Sequence, residues 1–150
     1  MSLEIKINAA IKDAMLAKDK ASLEALRAVK SALLLIKTGG DISGEIPEEL
    51  ELQTLQKLVK QRRESADIYI AKGRQELADD ELFQLSIIQK FLPTQMSEED
   101  IAIEIKKIIA ETGATTIKEM GKVMGIASKN MAGKADNKII STLVKSLLGA

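Results

Sequence analysis

The sequence predicts an all-α protein: an N-terminal helical hairpin or bundle with a long spine helix, followed by a small C-terminal three-helix module. Three observations lead there. Apolar residues recur at helical spacing through most of the chain. No alternating apolar–polar run of useful length marks a strand. Only 2% of residues are aromatic while 45% are hydrophobic. The core must therefore be assembled from Leu, Ile, Val, Ala and Met, which suits helices packed on helices.

The first helix carries Leu3, Ile7, Ala10, Ile11 and Ala14 on one stripe. Asp19 is placed to cap a second helix, whose stripe is Leu26, Val29, Leu33 and Ile36 and which the Gly39-Gly40 pair ends. Residues 39–47, GGDISGEIP, form a loop. Pro47 suits the first turn of a long third helix, and Glu48, Glu49 and Glu51 complement its positive end. Leu55, Val59, Ala66 and Tyr69 carry its period to Gly73. A fourth helix runs from about Glu76 to Leu92, with Leu85, Ile88 and Leu92 on one side, and Pro93 ends it.

Pro93 to Met96 is the best candidate boundary, dividing residues 1–93 from a module at 97–150. Ser97 and Asp100 resemble a capping box in its shorter-acid form. Ile101, Ile105, Ile108 and Ile109 form the next stripe, and Gly113 fits as its C-terminal cap. Thr116 and Glu119 read as a second capping box around a short helix at 117–124, interrupted by Gly125. Asp136 can cap a last helix with Ile139, Ile140, Leu143, Val144, Leu147 and Leu148 inward.

A length of 150 residues allows one domain, or one domain plus a small module. The formal net charge is zero, so no global field draws the chain to nucleic acid. Its distribution is uneven. Residues 113–150 hold six lysines against Glu119 and Asp136, a net of about +4, which leaves about −4 on residues 1–112. There is no cysteine and no histidine. Disulfides, zinc sites of the usual kind, thiol nucleophiles and Ser–His or Cys–His arrangements are thereby excluded. The N-terminus shows no apolar core flanked by basic residues, and no stretch approaches a membrane span, so the expected compartment is the cytoplasm.

Five segments, in order, resemble the GatB/YqeY family: AMLAKDKASLEALRAVKSAL at 14–33, KQRRESADIYIAKGRQELADDE at 60–81, FLPTQMSEEDI at 91–101, ETGATTIKEMGKVMG at 111–125 and GKADNKIISTLVKSLL at 133–148. Together they cover most of the chain. The resemblance implies a helical N-terminal domain joined to a small helical domain similar to the tail of the B subunit of tRNA-dependent amidotransferases. In those enzymes the tail helps hold the tRNA, and the kinase and amidase chemistry lies elsewhere. Leu16 stands where the family commonly has lysine, and Asn137 where it commonly has glycine after the Ala-Asp pair. Asparagine tolerates left-handed backbone, so the turn is expected to survive.

The candidate nucleic-acid site is Gly121, Lys122, Gly125, Lys129, Gly133, Lys134 and Lys138. Glycines let a phosphate backbone approach the main chain, and lysines act as flexible point charges toward phosphate. A helix opening at Asp136 offers free N–H groups, although the Asp charge opposes an anion there. For any single glycine, close helix packing or a sharp turn is the favoured reading. For the basic cluster as a whole, aided by the resemblance, it is RNA contact. No aromatic interleaves the patch, so binding is expected to be led by phosphate and shape, weak and salt-dependent.

Lys60 and Arg63 are expected to face solvent as a secondary basic surface. Arg62 falls on the apolar stripe between Val59 and Ala66, so pairing with a carboxylate of the neighbouring helix, Glu76 or Glu81, is expected. Helix–helix pairing is likewise the first expectation for Arg27 and Arg74. Asp79, Asp80 and Glu81 point in different directions on a helix and have no partner ligand type, so neither a metal nor a cofactor is expected. Met120, Met124 and Met131 read as core filler. Ser128, Lys129 and Ser141 do not form an amidase signature, so no catalytic residue is assigned.

The expected function is a noncatalytic tRNA-binding accessory protein linked to tRNA-dependent amidotransferase or aminoacyl-tRNA metabolism. Its partners would be tRNA and an amidotransferase or aminoacyl-tRNA synthetase, with no membrane. A helical adaptor for a translation enzyme is the alternative. The remaining one, carbon–nitrogen ligase activity with glutamine as amide donor, rests on the family resemblance alone.

Overall fold

Residues 3–16 form a helix because Leu3, Ile7 and Ala14 recur on one face and bury together. In the computed structural model, which describes residues 2–40 and 42–149, this helix is α1 (Leu3–Leu16). Met1, Asp41 and Ala150 lie outside the described residues, so the expected 39–47 loop is described except at Asp41. The Ser2 hydroxyl caps α1 by accepting the Ile5 N–H at 3.4 Å. At the other end Lys18 takes a left-handed conformation, φ 56°. Its N–H reaches Met15 O at 3.2 Å, and the Asp19 N–H reaches Ala14 O at 2.9 Å, which closes a Schellman turn.

Asp19 then caps α2 (Lys20–Gly39). One carboxylate oxygen accepts the Ser22 N–H at 3.1 Å and the other its hydroxyl at 2.6 Å. The Ser22 hydroxyl first, then its backbone N–H, and more weakly Lys90, hold the Asp19 carboxyl below the ordinary aspartate range. The helix ends at the glycine pair, as the sequence predicts. Pro47 lies one residue ahead of its expected place, as the N-cap of α3 (Glu48–Ala71). Its carbonyl accepts the Glu51 N–H at 3.1 Å.

With 24 residues, α3 is about 36 Å long. Gly73, at φ 72°, reverses the chain into α4 (Gln75–Gln89). The sequence carries this fourth helix to Leu92. The structure ends it at Gln89, and the last residues wind into tighter turns, with the Leu92 N–H on Gln89 O at 3.0 Å, before Pro93. The short connections make α1–α2 and α3–α4 antiparallel pairs, and α2 packs on α4. The core between them is aliphatic: Leu3, Ile7, Leu26, Val29, Leu33, Ile46, Leu55 and Ile88.

Ser97 opens α5 (Glu98–Thr112) by accepting the Asp100 N–H at 3.2 Å, and Gly113 ends it in the left-handed region, φ 70°. A 3₁₀ turn, Ile117–Glu119, leads directly into α6 (Met120–Asn130). Two expectations change here. Thr116 makes no side-chain cap; instead a Glu119 carboxylate oxygen accepts the Thr115 N–H at 2.6 Å. Gly125 does not break the helix. A mid-helix glycine costs only about 1 kcal/mol, and burying Val123 and Ala127 on the opposite face offsets it. The last helix, α7 (Asn137–Gly149), is capped by Asp136, whose carboxylate accepts the Lys138 N–H at 2.8 Å. Asn137 is the first helical residue and has no positive φ; the left-handed position of this turn is Gly133, φ 75°.

The chain is all-helical, with no strand among the described residues. It divides into two units, Met1–Leu92 and Pro93–Ala150. The second unit packs α5, α6 and α7 around Ile101, Ile105, Ile108, Val123, Met131, Ile140 and Val144. Met120 and Met124 are partly buried against that core, so all three methionines fill it.

Candidate nucleic-acid interface

The inward face of α6 is set by Val123 and Ala127. At 100° per residue, Gly121, Lys122, Gly125 and Lys129 fall on the side away from that face, with the half-buried Ser128 at its margin. All four are exposed. Lys122 and Lys129 stand on one face two turns apart, about 10 Å along the axis. Gly121 and Gly125 lie beside them, one turn apart.

Neither close packing nor backbone conformation requires glycine at these two positions among the described residues. Neither has a positive φ. A methyl group at either position would meet no atom from elsewhere in the described chain within 4 Å. Close packing and a sharp turn, the readings the sequence favours for a lone glycine, therefore do not account for them. The stripe presents bare helical backbone between two lysines. Gly133 differs: it is buried, and its left-handed φ supplies the turn.

The connection between α6 and α7 alternates. Met131, Gly133 and Ala135 are buried, and Lys134 and Asp136 are exposed. Lys134 thus projects from the turn just after Lys129, and Lys138 from the first turn of α7. Lys138 shares the outer face of α7 with Lys145, seven residues on. Among the described residues none of Lys122, Lys129, Lys134 or Lys138 joins an ion pair. The start of α7 is a poor anion site, because the Asp136 carboxylate takes the Lys138 N–H and sets a negative charge there.

The sequence does not reveal what holds this turn. The segment before α5 lies against it. The Met96 N–H donates to Lys134 O at 2.9 Å. The Gln95 amide Nε2 donates to Gly133 O at 2.7 Å and to Pro93 O at 2.9 Å. Spacing along the chain carries no trace of the two bonds to the turn, which join residues 38 positions apart.

In the first unit Lys60 and Arg63 are exposed on α3, as expected. Among the described residues the expected helix–helix ion pairs of Arg27, Arg62 and Arg74 do not form. Arg27 is exposed and makes no ion pair among the described residues. Arg74 pairs with Glu76 at 3.4 Å, but locally, at the start of α4. Arg62 has a buried Nε with no hydrogen-bond partner. It lines an open cleft of about 590 Å³ with Glu24, Glu64 and Glu81, yet reaches none of them. The ion pair from α2 is instead made with α1, Lys37 to Glu4 at 3.2 Å.

The family model described as Yqey-like protein matches residues 4–148. The chain is also similar to a yeast protein, altered inheritance of mitochondria protein 41, mitochondrial, from two Saccharomyces cerevisiae strains, YJM789 and Lalvin EC1118 (Prise de mousse). Each is 29% identical over 136 residues, which span 88% of this chain and 69% of the yeast protein.

Proposed function

The chain belongs to the YqeY-like family, and from that premise we propose that it is a noncatalytic tRNA-binding accessory protein of amidotransferase-linked, aminoacyl-tRNA metabolism. One observation carries the reading most: the exposed face of α6 sets Lys122 and Lys129 beside two glycines that neither packing nor backbone conformation requires. Bare backbone lets a sugar–phosphate chain come close, and the lysines supply the charge. Lys134 and Lys138 extend the positive surface past the end of the helix.

The second unit contains no aromatic residue, since Tyr69, Phe83 and Phe91 all precede it. Unstacked bases would find no ring to lie on there. The arrangement therefore favours the phosphate backbone of a folded, base-paired tRNA region over a single-stranded loop. The cytoplasm is the compartment we propose. The yeast relatives' name places those proteins in mitochondria. Within this chain no helix is long and apolar enough to cross a membrane, among the described residues.

Binding of the full chain to bulk tRNA across a salt series tests the proposal, beside a variant with Lys122, Lys129, Lys134 and Lys138 changed to Ala. Binding should weaken as salt rises, and the variant's log–log slope should be shallower by about 0.7 to 0.9 for each lysine that contacts a phosphate. No binding at low salt, or binding indifferent to salt, would refute it. A protein adaptor is the second reading, favoured by the exposure of Leu16 and Leu35, 75% and 72%, in the first unit. It predicts a partner that remains bound after RNase treatment.

A further inference from the structure

We propose that Gln95 is a positioning residue for the lysine site: its amide clamps the Gly133–Lys134 turn onto the segment entering α5, and so fixes where Lys134 stands. The inference rests on the reading of that site given above.

Three bonds make the clamp. Gln95 Nε2 donates to Gly133 O at 2.7 Å and to Pro93 O at 2.9 Å. Both acceptors are carbonyls, so the amide nitrogen, and not its oxygen, must face them. The Met96 N–H donates to Lys134 O at 2.9 Å. Two consecutive carbonyls of the turn are thus satisfied by two consecutive residues of the incoming segment. Within the turn, the Lys134 and Ala135 N–H groups both end on Met131 O, at 3.0 and 3.3 Å. Met131 is buried in the core and Gly133 permits the left-handed step. The backbone of Lys134 is therefore held from both sides, and only its side chain is free to meet a ligand.

The consequence is a coupling. The segment 93–96 directly follows the junction between the two units. Any change that pulls this segment away from the turn releases Lys134. Conversely, a phosphate held by Lys134 stabilises the clamped form, because linkage runs both ways.

Gln95→Ala removes the two side-chain bonds of the clamp, leaves the Met96–Lys134 backbone bond and changes no lysine. Full-length native protein, Gln95→Ala, Lys134→Ala and the double variant are compared for tRNA binding across salt. Gln95→Ala should weaken binding roughly threefold to tenfold and make the salt slope shallower by about one phosphate contact. The double variant should match Lys134→Ala alone, because the clamp acts through that lysine. Hydrogen exchange provides a reading that needs no variant: saturating tRNA should slow exchange of the Met96 amide. Gln95→Ala that binds with native slope, effects that add in the double variant, or a Met96 amide indifferent to tRNA would each overturn the clamp. A native chain that binds no tRNA at low salt overturns the reading of the site itself, which separates the two failures.

Discussion

The backbone N–H of Leu3 donates to the carboxylate of Glu51 at 3.0 Å, across 48 positions of sequence. Glu51 belongs to the first turn of α3 and is 8% exposed. Its negative charge sits at the N-terminus of α1, where the helix dipole favours it. Burial pushes the Glu51 carboxyl above the ordinary glutamate value. The Leu3 N–H opposes that shift, and Glu48, Glu4 and Glu45 reinforce it.

Glu51→Ala leaves the Leu3 N–H without its acceptor and should destabilise the protein by about 1 to 2 kcal/mol. Glu51→Gln keeps an acceptor and removes the buried charge. Because the folded value is raised, the charged form is the one folding disfavours. The native residue's contribution is complete below the ordinary value of 4.5 and is lost as pH rises through the raised folded value. The stability of Glu51→Gln relative to native should therefore be lowest in acid and increase toward neutral pH. Melting curves from pH 4 to pH 7.5 check this; a Glu51→Gln stability that falls relative to native as pH rises would contradict it.

Lys18 is the one non-glycine residue with positive φ among those described. Left-handed backbone disfavours a β-carbon by about 1 kcal/mol. Lys18→Gly should raise stability by about 0.5 to 1 kcal/mol, read as a higher denaturation midpoint with unchanged slope. A fall would show that the lysine stem contributes more than the strain.

Gly121→Ala and Gly125→Ala should act with opposite signs on stability and binding. Each fills an open helical position and should stabilise the second unit by about 0.5 to 1 kcal/mol. Each also covers backbone that the proposed RNA approaches and should weaken tRNA binding. Stabilisation with unchanged affinity would place the RNA elsewhere.

Arg62→Met retains an unbranched stem of similar length and removes the Nε that has no partner. Stability should stay level or rise by about 1 kcal/mol. A loss larger than that, cancelled when Glu81→Gln is added, would reveal an ion pair in solution.

What the sequence made legible was local. Asp19, Ser97, Gly113 and Asp136 were readable as caps because each acts within a few positions of itself. The stripes of α2, α5 and α7 were readable because a helix repeats its inward face. The lysines were visible as composition, but not which glycines beside them lacked an internal purpose, since that depends on what packs against them. Contacts between distant segments left no periodic trace. The Leu3–Glu51 and Gln95–Gly133 bonds belong to this class. The Arg62 ion pair failed for the same reason: a stripe shows which side an arginine faces, not whether a carboxylate across the gap reaches it.

The wholly aliphatic core of the second unit has an optical consequence. With no tryptophan in the chain and its one tyrosine at position 69, near-ultraviolet absorbance and intrinsic fluorescence report on the first unit alone. Peptide circular dichroism sees both units. Heating the protein under the two probes therefore yields overlaid curves only if the units melt together, and a gap between the curves measures how independently the silent one unfolds.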